Sequence, residues 1–378
     1  MLPLERLIAL RHDLHSHPEV SGQEEKTAAR VEAYLRALKP DHLLTQIGGH
    51  GIVATFECGQ PGPTLLFRCE LDALPISEVN MFAHRSSTPN VSHKCGHDGH
   101  SAMLCGLAEL LAQNRPTRGK VHLLFQPAEE TGAGARAVLE DPKFAAIRPE
   151  MAFALHNFPG HPLGSVIVRN GIITAAVIGL KLTWQGWTAH ASQPEFGRNP
   201  ALAIAEALQH SQSLNRPDPS DPEFRLVTPV HVRVGSPAYG VAAGEGELHL
   251  TLRSWTDTGL EQLVSSIVTF CEELAQRDGL ELEFVTTQAF AANNNDATIA
   301  NVMRQAALES GLDLIELPEP LKGGEDFGLF TARFPCCMAL LGAGENSPAL
   351  HNPDYDFPDE LLEPGVRLMD RIVRQVLG

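Results

Sequence analysis

The amino-acid sequence predicts an α/β protein that has a discontinuous, mainly parallel-sheet domain and an inserted two-layer α+β domain. In both outer parts of the chain, short apolar runs alternate with helical patterns, which is typical of βαβ units and a parallel sheet. In the middle, the order becomes strand, helix, strand, strand, helix, strand. Because a stretch of this size matches a compact domain, we assign residues 1–174 and 287–378 to the outer domain and 175–286 to the insertion.

The spacing of apolar residues predicts each element in turn. Apolar residues that recur at helical spacing, such as Ala28, Val31 and Leu35, predict the helices. The predicted helices are 3–16, 23–38, 101–114, 200–213, 258–277 and 301–310. Apolar runs bounded by turn-forming residues predict strands over 51–57, 64–69, 120–125, 150–155, 177–184, 224–234, 245–254, 280–285 and 335–341.

Composition narrows the classes of protein to consider. The chain has 378 residues and a net charge of −17, from 29 basic and 46 acidic side chains. It contains no basic block, which argues against binding to nucleic acid or to an anionic membrane. The seven cysteines are scattered and odd in number, so a reducing compartment is the simpler interpretation. With no signal-peptide pattern and no run that could span a bilayer, we expect a soluble cytoplasmic protein.

Residues 93–100 hold the densest group of reactive side chains, namely a thiol, three imidazoles and a carboxylate. Cys and neutral His are ligands that Zn²⁺ prefers. Cys95 and His97 are two residues apart, which suits a looped segment rather than one face of a helix. Taken alone, the cluster leaves a metal site and an ordinary buried cysteine equally open. Earlier in the chain, His12, His15 and His17 are expected at the surface or in helix caps.

Polar side chains also follow four of the predicted strands. They are Asp72, Glu129 with Glu130, His156 and His351. Because ligands bind at the carboxyl ends of strands in open α/β sheets, we expect these side chains to meet at one edge. The possible metal donors are Cys95, His97, Glu130, His156 and His351. Five donors exceed one tetrahedral site and suit two metal ions with a shared ligand.

The remaining carboxylates suggest supporting roles. In an extended segment, Glu129 and Glu130 point in different directions, so one can bind metal while the other accepts a proton from water. Asp72 would orient a ligand or tune the site. Cys and His favour Zn²⁺ as the metal, although sites with mixed N and O donors also accept Mn²⁺, Co²⁺ or Ni²⁺.

Five segments together resemble the aminoacylase/carboxypeptidase family of dinuclear metallohydrolases. They are 95–100, 126–130, 156–157, 324–327 and 350–353. The resemblance extends from His12 to about Arg367 and is greatest to the branch with hippurate hydrolase, N-acyl-amino-acid amidohydrolases and auxin-conjugate hydrolases. It implies that residues 1–174 and 287–378 form a metal-binding catalytic domain with two divalent metal ions. It also implies that residues 175–286 form a lid that makes a homodimer.

The resemblance implies a role for individual residues as well. Cys95 would bridge the metals, and Glu129 would be the general base. His190 matches a lid histidine that reaches a partner's active site and stabilises the oxyanion. Arg253 matches a lid arginine expected to meet the substrate carboxylate. The implied reaction is hydrolysis of an N-acyl amino acid, or a similar amide, to a carboxylic acid and a free amino acid.

Two alternatives to this reaction stay open. One is a dipeptidase or aminopeptidase activity at the same site, and the other is a non-catalytic binding protein, disfavoured because the proposed base and every proposed ligand are present. The chain also departs from the family pattern at three places. Glu70 stands where an aspartate is usual, Lys94 where a small residue is common, and 239–242 where an Asn-Val-Ile-Pro segment is usual. These departures bear on the substrate range.

Overall fold

The computed structural model describes residues 2–378, which divide into two compact units. The first unit contains the chain up to Ile173 together with Asn293–Pro318 and Glu325–Gly378, and the second contains Thr174–Ala292 and Glu319–Gly324. Helices and strands alternate in the first unit around one large sheet, and the predicted α/β class is confirmed. No helix within residues 2–378 has the length and apolar character needed to cross a membrane.

The elements occur in the following order along the chain. The first part forms α1 (Leu4–Ser16), α2 (Glu25–Leu38), β1 (His42–Ile47), β2 (Gly51–Glu57), β3 (Gln60–Glu70), α3 (His97–Gln113), β4 (Arg118–Gln126), α4 (Gly134–Glu140), β5 (Met151–Phe158), β6 (Val166–Val168) and β7 (Gly171–Thr174). The middle forms β8 (Ala176–Gln185), β9 (Ala189–His190), α5 (Ala201–Ser213), β10 (Arg225–Val234), β11 (Val241–Ala242), β12 (Glu245–Ser254), α6 (Asp257–Asp278) and β13 (Glu281–Phe290). The last part forms β14 (Asn293–Asn295), α7 (Ala297–Glu309), β15 (Leu314–Glu316), α8 (Gly328–Thr331), β16 (Cys336–Gly342) and α9 (Leu362–Leu377).

The large sheet has eight strands in the order β1-β2-β4-β3-β5-β16-β6-β15. Its four central strands, β4, β3, β5 and β16, run parallel to one another. All seven residues of β16 are buried, as expected for a strand covered on both faces. The carboxyl ends of these four strands therefore lie along one edge of the sheet.

Helix α3 packs against β3 and against α9, and nearly all of its residues are buried. Close packing depends on Gly106, since a Cβ at this position would lie 2.5 Å from Val366 of α9. The helix begins at His97, whereas the sequence predicted a start at residue 101. The reason is Gly96, whose left-handed φ of 94° turns the chain directly into the helix, at little cost for a residue without Cβ.

The second unit is a two-layer α+β structure. Its antiparallel sheet has the order β10-β12-β8-β13, and α5 and α6 contact the sheet. Along β12, buried residues alternate with half-exposed ones, so one face is covered and the other is open. Helix α6 begins after Thr256, whose side chain accepts a hydrogen bond from Gly259 N at 3.0 Å. A short ribbon of β9 and β11 carries His190.

The bounds of this unit differ from the predicted 175–286. Strand β13 continues to Phe290, beyond the predicted strand end. Residues 319–324 also belong to the unit, because Ala175 N donates to Leu321 O at 3.0 Å and Arg253 Nη1 donates to Lys322 O at 2.5 Å. Such pairing of distant segments is not visible in local periodicity.

Candidate metal centre

The parallel strands bring the predicted polar residues together at their carboxyl ends. Strand β3 leads to Asp72, β4 leads to Glu129 and Glu130, and β5 carries His156. The predicted donors and Glu129 form three groups, and within each group the donor atoms lie within 4.8 Å of one another. They are Cys95 with His97 and His156, Cys95 with Glu130 and His351, and His97 with Glu129 and Glu130. All five predicted donors and Glu129 are therefore neighbours.

Hydrogen bonds on the outer side of two histidine rings define which nitrogen can bind metal. His97 Nδ1 donates to Asp72 O at 3.0 Å, and His156 Nδ1 donates to Asn157 O at 2.8 Å. A carbonyl can only accept, so the Nδ1 atoms carry these protons and each neutral ring keeps a lone pair at Nε2. His156 Nε2 lies 3.4 Å from Cys95 Sγ. In their neutral forms, both rings can therefore offer the Nε2 lone pair to a cation.

Cys95 has the central position among these donors. Its thiol belongs to two of the donor groups, one with His97 and His156 and the other with Glu130 and His351. Burial, together with the charges of Glu130 and Glu129, raises the pKa of Cys95 well above its usual range. A bound cation would offset this cost, because thiolate is the form that ligates metal. The location fits a ligand shared by two ions.

The centre brings several carboxylates close together, and each makes the charged form of the others less favourable. Burial raises the pKa of Glu129 well above its usual range, and the nearby charges of Glu325 and Glu130 add to the effect. Burial likewise raises the pKa of Glu130 to about 7, although His97 opposes the shift. For His97, burial disfavours the charged ring, but Asp72 and Glu70 outweigh it and raise its pKa to about 10. The carboxylates thus favour positive charge at Nε2 of His97, which either a proton or a metal ion in its place would supply.

Among the predicted metal donors, two buried polar atoms lack a hydrogen-bond partner within residues 2–378. They are His97 Nε2 and Glu130 Oε1, which lie 3.9 Å apart. Buried polar atoms without partners are costly and rare in proteins. Here a ring nitrogen and a carboxylate oxygen face each other at a distance that a metal ion between them would bridge. The residues present therefore fit a metal centre.

Asp72 lies behind the donors and contacts two of them. Besides its carbonyl contact with His97, its Oδ2 accepts from Glu130 N at 3.0 Å and from Ser21 Oγ at 2.7 Å. The hydrogen bond from His97 and those from Ser21 and Glu130 keep the pKa of Asp72 below its usual value despite burial. Asp72 therefore has hydrogen bonds to two of the predicted donors, His97 and Glu130.

His351 differs from the other donors because it lies on a half-exposed loop. Its Nε2 is 3.6 Å from Glu130 Oε2. Burial, and then the charge of His97, lowers the pKa of His351, which favours the neutral ring that binds metal. Its backbone has a φ of 67°, a left-handed conformation that is unfavourable for a residue with a Cβ.

A buried arginine supports the centre, and sequence reasoning missed it. Arg68, inside β3, forms ion pairs with Glu70, Glu325 and Asp326. Gln126 Nε2 donates to both carboxylate oxygens of Asp326, at 2.9 and 2.8 Å. These residues tie the ends of β3 and β4 to the 324–327 segment. An arginine within an otherwise apolar strand was the available signal.

His100 is excluded as a ligand by its own hydrogen bonds. Its Nδ1 donates to Glu70 Oε2 at 2.6 Å, and its Nε2 accepts from Asn157 N at 3.1 Å. Both ring nitrogens are occupied, so the ring has no free lone pair.

The expectation of a surface or capping role is wrong for His15, which is buried and contacts Asp98 at 2.8 Å and Glu78 at 3.0 Å.

The two remaining predicted residues lie in the second unit. His190 is exposed on the ribbon, and its Nδ1 accepts from Ser192 N at 3.1 Å and contacts Ser192 Oγ at 2.7 Å. This leaves Nε2 as the ring's N–H donor. Arg253 lies on the open face of the sheet, and burial lowers its pKa. Among residues 2–378 it has no carboxylate partner, since its guanidinium bonds to a carbonyl.

The chain is similar to known proteins over most of its length. Residues 66–375 match peptidase family M20/M25/M40. N-acetylcysteine deacetylase of Bacillus subtilis (strain 168) is 30% identical over 358 residues, which cover 94% of this chain and 93% of that protein. Hippurate hydrolase of Campylobacter jejuni is 29% identical, over 93% of this chain and 92% of its own length.

A solved structure is similar over the whole chain. The YXEP protein of Bacillus subtilis, named a dinuclear metal-binding peptidase of the M20 family, superposes with a TM-score of 0.84. It is 28% identical in sequence, and the match covers 99% of this chain and 98% of that one. Both the fold and a centre for two metals are therefore found in a relative.

Proposed function

This chain belongs to peptidase family M20/M25/M40, and we propose that it is a metal-dependent amidohydrolase that cleaves an N-acyl amino acid to a carboxylic acid and a free amino acid. Relatives named N-acetylcysteine deacetylase and hippurate hydrolase support this substrate class. The observation that carries the proposal is the meeting of five donor side chains, two of which, His97 and Glu130, have buried polar atoms without a hydrogen-bond partner among residues 2–378.

We propose that Cys95, His97, Glu130, His156 and His351 hold two divalent metal ions. When bound, the ions polarise the amide carbonyl and acidify water. The protein's own part is to present neutral imidazoles and charged oxygens in fixed positions. Asp72 and Asn157 do this from behind, through the hydrogen bonds to His97 and His156. Zn²⁺ suits the thiol and imidazoles, and Mn²⁺, Co²⁺ and Ni²⁺ suit the mixed set.

Glu129 is the proposed general base. It is buried beside the donors, with Oε2 3.9 Å from His97 Nε2. Its carboxylate would accept the proton of the attacking water and then deliver it to the leaving amine nitrogen. Burial raises the pKa of Glu129 well above its usual range, which makes the carboxylate a stronger proton acceptor than an exposed glutamate.

The second unit would supply the substrate contacts. Arg253 has donors that no carboxylate of residues 2–378 occupies, so it suits the carboxylate of an N-acyl amino acid. The N–H at Nε2 of His190 suits the oxyanion that forms at the scissile carbonyl. Both roles come from the family resemblance and are proposals for this chain.

We also propose a homodimer formed through residues 174–292. Strand β10 lies at the edge of its sheet, and Val230 and Val232 are exposed on it. An exposed edge of this kind can pair with another strand. A second copy of the chain would cover it, in line with the lid and dimerisation role that the resemblance implies.

Metal analysis beside a substrate panel tests the proposed function. Purified protein is analysed for bound metal, reconstituted, and assayed with N-acyl amino acids and with free dipeptides. We expect close to two ions per subunit and hydrolysis of the acylated compounds only. Activity only on dipeptides, which present a free amine, would show the peptidase alternative instead. Clearly sub-stoichiometric metal that reconstitution cannot raise would favour a binding protein without catalysis.

A further inference from the structure

A fully buried lysine lies next to the proposed ligands, at a position where the family commonly has a small residue. Lys94 Nζ donates to Glu78 Oε1 at 2.5 Å and to Tyr355 O at 2.8 Å, and it lies 3.5 Å from Asn80 Oδ1. An ammonium has three N–H donors, and here each has an acceptor. The charge is paired by Glu78, so the lysine is held in one place.

Lys94 contacts both ends of the segment that carries His351. Its carbonyl oxygen accepts a hydrogen bond from His351 N at 2.8 Å. Its ammonium donates to the carbonyl of Tyr355. The Tyr355 side chain is itself buried, and its hydroxyl accepts from Asn157 Nδ2 at 2.5 Å. The loop is therefore fastened to the residue that precedes Cys95.

His351 needs such support because its own conformation is unfavourable. A left-handed φ is unfavourable for a residue with a Cβ, and it persists only where the surroundings hold it. His351 has a φ of 67°, and its half-exposed ring contacts Glu130 at 3.6 Å. The other proposed donors lie on, or next to, regular elements of the sheet and α3.

A second segment holds the same loop from its other side. Val79 N donates to Pro353 O at 3.2 Å, and Asn80 Nδ2 donates to Asp354 O at 3.0 Å. Through Glu78, the lysine joins this segment as well. Lys94 is thus the group that links the 78–80 segment, the 351–355 loop and the Cys95 segment.

We propose that Lys94 is a positioning residue for His351, which its side chain holds in place for metal binding. The proposal rests on the proposed function in one respect, since it takes His351 as a metal ligand. A small residue at this position would keep the backbone contact with His351 and lose the contacts to Tyr355 and Glu78. In this chain the buried ion pair of Lys94 with Glu78 holds the loop that carries His351.

The first test measures metal affinity in metal-free protein, with no need for turnover. Lys94→Met keeps the length of the side chain and removes the ammonium. Competition with a chromophoric chelator for Zn²⁺ or Co²⁺ should show binding about 10–100-fold weaker, the usual effect of losing a residue that orients a ligand. The matched control is Lys120→Met, an exposed lysine paired with Glu57 at 2.7 Å, which should leave affinity unchanged.

A double-mutant cycle separates positioning from a general loss of structure. In a His351→Ala background, Lys94→Met should change metal affinity by less than about threefold, because the ligand on which it acts is gone. A full, additive effect in that background would overturn the proposal. If Lys94→Met alone does not fold, Lys94→Met/Glu78→Gln removes both charges of the pair and takes its place in the cycle.

The outcomes are distinguishable from failure of the proposed function. Folded Lys94→Met protein that binds metal as tightly as the wild type overturns the role of Lys94 and leaves the metal centre standing. Wild-type protein that binds no metal overturns both. Faster amide hydrogen exchange over 352–356 in Lys94→Met, with no change in the rest of the first unit, would support the proposed link to the loop.

Discussion

His97 and Asp72 are joined at two points. His97 Nδ1 donates to the Asp72 carbonyl oxygen at 3.0 Å and lies 3.3 Å from its Oδ1. The ring is thereby turned so that Nε2 lies 3.9 Å from a carboxylate oxygen of both Glu129 and Glu130. Because Asp72 Oδ2 also accepts from Glu130 N, one residue orients two proposed ligands.

Asp72→Asn tests this arrangement. The substitution keeps the size of the side chain but removes the charge that faces His97, so metal affinity should fall by about 10–100-fold. The measurement is chelator competition with metal-free protein. Ser21→Ala, which removes only one hydrogen bond to Asp72, should have an effect of less than about threefold. Equal affinities for wild type and Asp72→Asn would contradict the orienting role.

Glu129 and Glu130 should respond differently to the same change. Glu129→Gln should lower kcat by about two to four orders of magnitude, the usual contribution of a general base, and leave metal content unchanged. Glu130→Gln should lose metal as well as activity. Metal analysis and steady-state kinetics on both variants, with exposed Glu140→Gln as control, check the division of roles. Near-full activity of Glu129→Gln would contradict the assignment of Glu129 as the general base.

Arg253→Met should raise KM for N-acyl amino acids by about 10–100-fold and change kcat little, since it would remove a charge-assisted contact with the substrate carboxylate. Arg233→Met is a matched control on the same sheet, because Arg233 is already paired with Glu245 and Glu247. An N-acyl amine without a carboxylate should not distinguish wild type from Arg253→Met. If the two proteins hydrolyse this compound at different rates, Arg253 does not act through the substrate carboxylate.

His190→Ala should reduce kcat without affecting metal content, because the residue would donate only to the developing oxyanion. If this histidine serves the partner's site in a dimer, mixing inactive His190→Ala and Glu129→Gln subunits should restore part of the activity. In such a mixed dimer, one site has both groups intact. Refolded mixtures assayed against each variant alone provide the measurement, and no recovery would place both groups in one subunit.

Stability should depend on pH through His15. Burial disfavours its charge, but Asp98, Glu78 and Asp356 outweigh this and raise its pKa to about 9, from 6.5 in the unfolded chain. Folding therefore binds a proton, and the resulting stability is complete below pH 6.5 and lost as pH rises to about 9. The loss should be about 3 kcal/mol at most.

Urea unfolding between pH 6 and pH 9.5 measures this dependence. In His15→Gln the slope over this range should be smaller, because the group that titrates is gone. The exposed His17→Gln, close to the end of the same helix, should keep the wild-type slope. A His15→Gln profile parallel to that of the wild type would show that other groups control the pH dependence.

Local sequence information was enough for most of the fold. The predicted helices and strands rest on periodicity that survives in the structure, such as the alternation along β12. The start of α7 was predicted too late, at residue 301, because Asp296 caps it by accepting from Thr298 N and Ile299 N. Short strands such as β6 and β15, with three residues each, are too brief to produce a periodic signal.

By itself, the sequence determined the class of fold and the identity of the proposed donors, because strand ends and ligand types are local properties. Only the tertiary structure decided how these groups are used. It placed His100 between Glu70 and Asn157, with no lone pair left for a metal. It buried Arg68 among three carboxylates and fastened the His351 loop through Lys94. Such roles depend on contacts between residues far apart in the chain, and local spacing carries no record of them.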